Sequence, residues 1–269
     1  MKSALVAALP LLALLAAPAV ASPPQRIVSL SLCSDQLLLA LADRGQIAGL
    51  SSNVRDQSLS AAAGEVRGLP VLGQSAEQVL AIRPDLIIGM PTGKSAVMAA
   101  LDRQSYRTLD LENAQDFPQI AAEVERLAAA IGHQARGQAL VRQMAAELAG
   151  LPRPGKGRVA AYYQRRGFLT GTGTLIDDLM QRVGLVNLAA KLGKPPLSQL
   201  SLEEMVATKP DFLIVDADTD RVEDQGTEML HHPALASIPR IPLPQAWTVC
   251  GGPAYVDAAR RLVAELQRH

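Results

Sequence analysis

Two stretches of the chain repeat one pattern of apolar and polar positions. The first reads SAEQVLAIRPDLII from Ser75, the second reads SLEEMVATKPDFLI from Ser201, and 201 minus 75 gives an offset of 126 residues. In both copies a serine precedes apolar positions at helical spacing, and Pro84 or Pro210 ends that spacing. An uninterrupted apolar run then follows. Each copy therefore predicts a short helix capped by serine, a turn, and a strand that is covered on both faces.

The alternation of helical and strand patterns continues on both sides of the two copies. The first half predicts strands at 27–30, 47–50, 85–88 and 108–111, with helices at 35–42 and 95–103. The second half predicts a strand at 159–163, a helix at 175–183, strands after Asp211 and near Trp247, and a last helix at 253–267. Alternating strands and helices are typical of parallel sheets. The predicted fold class is α/β, with two Rossmann-like lobes that contain mainly parallel sheets.

A long helical pattern separates the two halves. Apolar Leu140, Met144 and Leu148 recur every fourth residue, and Pro152 and Pro154 end the pattern. A helix of roughly 18 residues is about 27 Å long at about 1.5 Å per residue, which is the width of a small domain. We therefore expect one long α-helix to bridge the lobes and to keep the gap between them nearly constant. The expected division is an N-terminal lobe at 22–132, the bridging helix and its stop at 133–154, and a C-terminal lobe at 155–269.

The first 21 residues have the pattern of a signal peptide. Lys2 precedes an apolar run that Pro10 interrupts, and the sequence AVA at 19–21 forms a small-residue cleavage site. A membrane span needs about 20 predominantly apolar residues, and this run is shorter. No cysteine follows the cleavage site, which argues against a lipoprotein. We expect an exported chain that begins near Ser22 and stays in solution in a bacterial periplasm.

Composition and charge exclude one class of partner. Hydrophobic residues make up 48% of the 269 positions, which is enough for the cores of two lobes. Lys plus Arg and Asp plus Glu both number 26, so the formal net charge is zero. A nucleic-acid-binding surface normally carries a clear excess of positive charge. We therefore expect no nucleic acid as a partner, and the local chemistry at strand ends has to indicate the ligand.

Two apparent enzyme motifs are incomplete. GMPTGKS at 89–95 has three residues between its glycines where a phosphate-binding loop has four, and GQSAE at 73–77 ends in Glu where a nucleophile elbow has Gly. A secreted hydrolase that uses Ser75 or Asp35 is the alternative from another functional class. No histidine is placed near either residue, and acyl transfer needs an adjacent base. We expect no catalysis, no cofactor and no metal site built from protein ligands.

Six motifs follow one another along the whole chain: RIVSLSLCSDQLLLALADRGQIAGLS, SAEQVLAIRPDLIIG, GTGTLIDDLMQRVGLVNLA, LSLEEMVATKPDFLIVD, HHPALASIP and AWTVCGGP. In their order and spacing they resemble the periplasmic substrate-binding proteins of ABC importers for ferric siderophores, haem and cobalamin. The resemblance implies two α/β lobes bridged by one long helix, and a monomer that holds an iron-siderophore or cobalamin-type chelate between the lobes for an inner-membrane permease. Haem or a free metal ion is the alternative ligand.

The resemblance also implies a role for the matched acids of the repeat. In the family, one Glu on the upper surface of each lobe docks onto Arg pockets of the permease, and these positions correspond to Glu77 and Glu203. A carboxylate that meets Arg can form a bidentate pair of defined geometry, so two distant pairs would set the docking orientation. The alternative is that both acids only complement the N-terminus of a helix.

Ligands of open α/β lobes bind beyond the carboxyl ends of the strands, which makes the strand-to-helix turns the place to search. Alternation along a strand predicts that only one of Tyr162 and Tyr163 faces the cleft, and core packing is the alternative for each aromatic residue. Arg165 and Arg166 could bind an anionic group and slightly favour a ferric siderophore. The predicted ligand contacts are Cys33, Ser34, Pro91, Thr92, Tyr162, Tyr163, Arg165, Arg166, Trp247 and Cys250.

The two cysteines, Cys33 and Cys250, are predicted at strand ends that face the gap, one in each lobe. A disulfide between them would tie the lobes together and restrict their opening. Two separate thiols, or contacts of the sulfurs to a ligand or a soft metal, are the other interpretations.

Overall fold

The computed structural model describes residues 22–73, 75–89, 97, 106–220, 222 and 224–269. Within these residues the strands form two four-stranded sheets and one two-stranded sheet. The strands are β1 (Ile27–Ser29), β2 (Ile47–Gly49), β3 (Leu86–Gly89), β4 (Thr108–Asp110), β5 (Val159–Tyr162), β6 (Phe168–Thr170), β7 (Val186–Asn187), β8 (Leu197–Gln199), β9 (Phe212–Asp216) and β10 (Arg240–Leu243).

Each four-stranded sheet is the centre of one lobe. The first lobe has the strand order β2-β1-β3-β4 and the second has β10-β9-β5-β7, with parallel pairing throughout both sheets. Strands β6 and β8 pair antiparallel in a small separate sheet of the second half. In β3, Leu86, Ile87 and Ile88 are at most 1% exposed, as expected for a parallel strand covered on both faces. The predicted α/β class with mainly parallel sheets is confirmed.

The elements follow the predicted alternation, with one segment outside the described residues. The expected strand near Trp247 is β10, and Trp247 follows it in a 3₁₀ turn, Gln245–Trp247, where its backbone N–H donates to the carbonyl of Pro244. Apart from Val97, the expected helix at 95–103 lies outside the described residues. The helices are α1 (Leu32–Leu41), α2 (Ala76–Ile82), α3 (Phe117–Ala130), α4 (Gln134–Ala149), α5 (Leu175–Arg182), α6 (Leu188–Lys191), α7 (Leu202–Thr208), α8 (Gln225–Glu228) and α9 (Ala254–Leu266).

The repeated sequence folds twice into the same unit. Helices α2 and α7 both have seven residues, and each leads through a Pro-Asp turn into a buried strand, β3 or β9. Each helix ends at a basic residue in the left-handed region, Arg83 with φ 49° and Lys209 with φ 45°. The next residue is Pro84 or Pro210, which cannot continue a helix. The helix, turn and strand predicted from both copies are therefore confirmed. The predicted serine cap is present only in the second copy, where the Ser201 side chain accepts from the Glu204 N–H, whereas the Ser75 hydroxyl donates to Glu77 instead.

The aspartate of each Pro-Asp turn binds the neighbouring strand. The Asp85 carboxylate accepts hydrogen bonds from the backbone N–H groups of Gln25 and Arg26, at 2.7 and 2.9 Å, just before β1. In the second lobe the Asp211 carboxylate accepts one from the backbone N–H of Val159, the first residue of β5, at 2.7 Å. Strands β1 and β5 are the partners of β3 and β9. The repeated aspartate thus connects the same two strand positions in both lobes.

The long bridging helix is α4, which has 16 residues and is about 24 Å long. It runs back along α3, and the chain reverses between the two helices at Gly132, where φ is 85°. A Cβ atom at this position would come within 2.7 Å of the Pro23 side chain, so only glycine fits. The prediction of one long helix between the lobes is confirmed. No helix among the described residues combines the length and the apolar character that a membrane crossing requires.

Both lobes share one hydrophobic core. Ile27 of β1, Phe212 of β9 and Ile241 of β10 belong to a single cluster of buried side chains. Met144 of the bridging helix and Leu262 of the last helix belong to the same cluster. The lobes are therefore held together by side-chain packing as well as by the bridging helix.

Aromatic and charged side chains support this packing at the surface between the lobes. The Phe117 ring at the start of α3 stacks on the Tyr255 ring of α9, with 6.4 Å between centroids, and the Arg182 guanidinium lies 5.6 and 5.8 Å from the two rings. Arg260 of α9 pairs with Glu147 of the bridging helix at 2.7 Å. Because α9 contacts elements of both halves, the distance between the two sheets is set by a packed interface.

The matched aspartates yield a stability prediction. Asp85→Ala and Asp211→Ala should each lower the free energy of unfolding by about 1 kcal/mol, because each removes the acceptor of strand N–H groups. Urea unfolding monitored by circular dichroism measures the change. Asp257→Ala is the control, since its carboxylate pairs with Arg260 on the same helix surface, and it should change stability by less than about 0.5 kcal/mol. Equal losses in all three variants would contradict the assigned role.

Candidate functional site

A disulfide joins the carboxyl edges of the two sheets. Cys33 lies in the first turn of α1, directly after β1, and Cys250 lies after β10, just before α9. The two residues are bonded, with their Cα atoms 5.2 Å apart and a sequence separation of 217. The structure therefore selects the disulfide among the three interpretations, and neither sulfur is a free thiol. In the chain-entropy account, closing so long a loop stabilises the folded state by about 5 kcal/mol.

Ser34 does not face the gap, although it was predicted as a ligand contact. It is fully buried, and its hydroxyl lies 2.8 Å from the hydroxyls of both Ser29 and Ser31. Ser31 is the N-cap of α1, and its side chain accepts a hydrogen bond from the Ser34 backbone N–H. The first turn of the helix directs Ser34 towards β1, because only one side of this turn can face the second lobe. Its role is structural.

Asp35 is a fully buried carboxylate beside the disulfide-bearing turn. It accepts hydrogen bonds from the Ser51 backbone N–H, at 3.1 and 3.2 Å, and from the Ser51 hydroxyl at 2.5 Å. Burial raises the pKa of Asp35 to about 6, although hydrogen bonds from Ser29 and Ser51 oppose the rise. This carboxylate ties α1 to the loop that follows β2. Its burial leaves no room for the hydrolase role considered for it.

Neither tyrosine of the predicted pair has an exposed ring. Tyr162 is 2% exposed and belongs to the core shared by the lobes, whereas Tyr163 is 0% exposed and belongs to a separate core in the second lobe. The Tyr163 hydroxyl donates to the carbonyl of Leu200 at 2.9 Å, and burial raises the pKa of Tyr163 to about 12. Alternation along β5 is present, but helices cover both faces of the sheet. The expectation that one ring faces the cleft is therefore wrong.

The Tyr162 hydroxyl nevertheless ends in a polar cluster at the carboxyl edge of the second sheet. The side chains of Thr248 and Gln164 lie close enough to this hydroxyl to oppose the rise in the Tyr162 pKa, and Asp216 lies close enough to add to it. Burial raises the pKa of Tyr162, and burial also raises the pKa of Asp216. The Asp216 carboxylate accepts a hydrogen bond from the backbone N–H of Gln245 at 3.3 Å. Sequence reasoning missed Asp216, although it is the last residue of an apolar strand and the strand-end criterion could have found it.

The predicted arginine pair is divided between two environments. Arg165 forms a salt bridge with Asp224, so its charge is largely compensated. Arg166 is exposed, has a left-handed backbone with φ 59°, and lines a surface cavity of ≈ 640 Å³ together with Asp224, Gln225 and Gly226. The carbonyl of Arg166 accepts a hydrogen bond from Gln199, which lies just before α7. Of the two guanidinium groups, that of Arg165 forms a salt bridge, whereas Arg166 lines the cavity and forms no salt bridge with another described residue.

Trp247 is partly exposed, as expected for a residue that contacts a ligand. Its ring is partly exposed and packs against the core shared by the lobes, and the following Val249 is 38% exposed. Both lie between the end of β10 and the disulfide. This segment therefore presents an apolar surface beside the polar cluster of Tyr162. Pro91 and Thr92 lie outside the described residues.

Glu77 and Glu203 are both exposed in the first turns of the matched helices. Each helix precedes its strand and runs back along the sheet, so its N-terminus lies towards the carboxyl edge. Ser75 donates a hydrogen bond to Glu77, and this bond lowers the pKa of that carboxyl. In the second copy it is Glu204 that completes the capping box with Ser201. The acid at the second position is thus exposed in both copies, while its local hydrogen bonding differs.

Metal binding by protein ligands finds no support in the described residues. Among them, no group of three or more His, Cys, Asp or Glu side chains is arranged to hold a metal ion. The two sulfurs, which are the softest candidate ligands, are bonded to each other.

Comparison with known proteins identifies the family. The model of a family described as periplasmic binding protein matches residues 27–240, which is most of the chain. The chain belongs to this family. The description of the family is that of binding proteins, which is the class of protein that the resemblance in the sequence implied.

Relatives of the binding protein are distant in sequence. A cobalamin-binding protein of Halobacterium salinarum is 23% identical over 215 residues, which cover 78% of this chain and 58% of the relative. The chain thus spans little more than half the length of this relative. Among solved structures, a periplasmic haem-binding protein of Roseiflexus sp. has a TM-score of 0.71 at 24% identity over 91% of this chain and 98% of the other. A vitamin B12-binding protein of Vibrio cholerae has a TM-score of 0.65 at 18% identity over 91% and 98%.

Asp35 makes the stability of the binding protein depend on pH. Its folded-state pKa of about 6 lies above the ordinary 3.8, so the native state binds the proton more tightly. The stabilising contribution is complete below about pH 4 and is lost as the pH rises through 6, a change of about 3 kcal/mol. Asp35→Asn should remove this component, so that the variant gains stability relative to the parent between pH 4 and pH 7. Urea unfolding at four pH values measures the difference.

The exposed Asp257→Asn substitution is the matched control for this titration. It makes the same chemical change at an exposed position and should change the free energy of unfolding at pH 7 by less than about 0.5 kcal/mol. A difference between the Asp35→Asn protein and its parent that stays constant over this pH range would show that Asp35 titrates normally in the folded state.

Proposed function

We propose that this protein is the solute-binding component of an ABC importer, which captures an iron-siderophore or cobalamin-type metal chelate between its lobes and delivers it to the permease. The observation that carries the proposal is the disulfide between the two carboxyl edges, which brings together the edges where parallel sheets bind ligands. The partly exposed Trp247 and the polar cluster around Tyr162 lie on the same edge. No chemical step is required of these residues.

The charges at this edge favour a chelate that is nearly neutral. Arg165 is paired with Asp224, and the carboxylate of Asp216 lies beside the Tyr162 hydroxyl and Gln164. An anionic ferric siderophore would meet this carboxylate, whereas amide side chains can donate to it and accept from the hydroxyl and amide groups. Cobalamin is bulky, nearly neutral and rich in amides. The name of the Halobacterium salinarum relative supports the same choice.

Haem is the second candidate ligand. Two features support it: the exposed Arg166, which could pair with a propionate, and the similarity to the Roseiflexus haem-binding protein. A free metal ion is less well supported, because the described residues contain no suitable group of ligands. The secreted-hydrolase alternative would need Ser75 as nucleophile, yet Ser75 donates its hydroxyl hydrogen bond to Glu77 rather than to a histidine.

Docking to the permease is assigned to Glu77 and Glu203. Both carboxylates are exposed, occupy the same position in two copies of one structural unit, and lie towards the edges that hold the ligand. Arginine side chains of a membrane partner could bind each carboxylate in a bidentate pair. Two such contacts on separate lobes would place the gap above the translocation pathway of the permease.

The route to this function begins with export. Residues 1–21 act as a signal peptide, and the mature monomer works in the periplasm with its lobes at 22–132 and 155–269 and its bridging segment at 133–154. The long helix α4 and the core shared by the lobes support a cleft that is largely preformed. Ligand capture then needs little rearrangement of the lobes.

Equilibrium binding to a panel of chelates tests the ligand class. Trp247 is the single tryptophan of the chain, so its emission should change on titration with cyanocobalamin, with weaker or no response to haemin and to a ferric hydroxamate. Asp216→Asn and Gln164→Ala should weaken cyanocobalamin binding about tenfold each, because each removes one hydrogen-bonding group from the site. Calorimetry with the Trp247→Phe variant separates a spectral effect from a binding effect.

One control variant and two contradicting outcomes complete the test of the ligand assignment. Asp257→Ala, on the surface of the last helix, should leave the affinity unchanged. Saturable binding of haemin, with no response to cyanocobalamin, would replace the corrinoid with haem. The absence of binding to every member of the panel would contradict capture of a metal chelate.

Charge reversal tests the docking assignment. The double variant Glu77→Arg/Glu203→Arg should reduce ligand uptake into permease-containing proteoliposomes at least tenfold while the ligand affinity stays within twofold of the parent, because like charges would then face the arginine pockets. Glu65→Arg/Glu228→Arg is the matched control. It also reverses two exposed carboxylates, one in each half of the chain, and it should retain uptake. Equal uptake by both double variants would remove the two acids from the docking surface.

A further inference from the structure

The segment 247–252 connects the candidate site to the first lobe. It begins with Trp247, which packs against the core cluster that contains Tyr162, and the side chain of Thr248 lies close to the Tyr162 hydroxyl. Its first half forms a compact turn, in which the N–H groups of Thr248 and Val249 both bond to the carbonyl of Gln245. The second half, Cys250-Gly251-Gly252, leads directly into α9. We call this segment, from Trp247 to Gly252, the strap.

The second half of the strap lies against the first lobe. A Cβ atom at Gly251 would come within 2.7 Å of Ala114 and 2.9 Å of Ile120, so this glycine allows a close backbone approach. The Leu37 side chain lies 3.5 Å from the corresponding position of Gly252. In addition to this packing, the bond to Cys33 links the strap covalently to α1. Two adjacent glycines have wide conformational freedom, so the covalent bond limits where the strap can move.

The lobes themselves do not depend on this bond for their association. The core shared by the lobes, the stacking of Phe117 on Tyr255, and the ion pair between Arg260 and Glu147 all connect the halves away from the strap. Breaking the disulfide in the folded protein therefore leaves these contacts in place. The effect of the bond is concentrated on the strap and on the side chains that the strap carries.

We propose that the Cys33–Cys250 disulfide is a positioning element of the binding site, which holds the strap so that Trp247 and Thr248 keep their places beside Tyr162. The proposal rests on the proposed function only in assigning ligand contact to Trp247 and Thr248. The disulfide is anchored in the first lobe at Cys33, and through this anchor it fixes the strap, which forms the second-lobe side of the site. Its loss loosens one wall of the site and leaves both sheets folded.

The double variant Cys33→Ser/Cys250→Ser provides the first test. The Stern–Volmer constant for acrylamide quenching of Trp247, measured from fluorescence lifetimes, should rise at least twofold. Amide hydrogen exchange should accelerate at least tenfold in residues 248–252, while β1, β3, β5 and β9 keep the protection of the parent. The two single variants, Cys33→Ser and Cys250→Ser, kept under reductant, should reproduce both changes, because each removes the same bond from a different side.

Reduction of the folded parent protein provides a second test that does not require the variants to fold. A thiolate of dithiothreitol attacks the sulfur of Cys33, which is the partly exposed member, and the sulfur of Cys250, which is 5% exposed, leaves as a thiolate and takes up a proton. The second thiol of the reagent then attacks the mixed disulfide and releases the Cys33 thiol, with two electrons passed to the protein. Alkylation with iodoacetamide and mass spectrometry confirm the reduced state, in which quenching and exchange should change as in the variant.

The outcomes separate this proposal from the proposed function. Unchanged quenching and unchanged exchange at 248–252 would overturn the positioning role, whether or not any chelate binds. Loss of protection throughout both sheets would also overturn it, because the bond would then hold the whole fold rather than the strap. Failure of the parent protein to bind cyanocobalamin, haemin or a ferric hydroxamate would contradict chelate capture, while the two structural measurements would still decide the role of the disulfide.

Discussion

The core shared by the two lobes is the constraint on which the rest of this structure depends. Side chains from both parallel sheets, the bridging helix and the last helix pack into one cluster, and interiors of this density do not deform continuously. The distance between the sheets is therefore set before any ligand arrives. A site on the facing carboxyl edges has walls at a defined separation, which is the structural condition for binding a large rigid chelate without large movements of the lobes.

Burial decides the chemistry of the polar groups at these edges. Asp35, Tyr162 and Asp216 all have a raised pKa for the same reason, which is that their charged forms are poorly solvated. Arg165 shows the complementary solution, a surface charge compensated by Asp224. The second-lobe edge thus carries hydrogen-bonding groups and little uncompensated positive charge. This balance, to which the exposed Arg166 is the exception, is the basis for proposing a nearly neutral chelate.

The repeated sequence unit shows how far local patterns reach. Serine, apolar spacing, proline and aspartate predicted a helix, a turn and a buried strand in both halves, and the two copies agree down to the left-handed residues Arg83 and Lys209. The prediction of side-chain exposure was weaker, because exposure depends on neighbouring elements that are distant in the sequence. Ser34 and the two tyrosines were expected at the ligand because they follow β1 or end β5, but helices and the second lobe cover those positions.

The sequence by itself determined the α/β class, the order of most strands and helices, the long helix between the halves and the equivalent positions of Glu77 and Glu203, because each depends on spacing within about 20 residues or on repetition. Only the tertiary structure decided that Cys33 and Cys250 are bonded, that Asp216 belongs to the polar cluster of Tyr162, and that Arg165 is paired. These features join residues that are far apart in the chain. The packing of the shared core decides which of these distant side chains meet at one edge of the sheets. The pattern of residues along the chain does not contain that information.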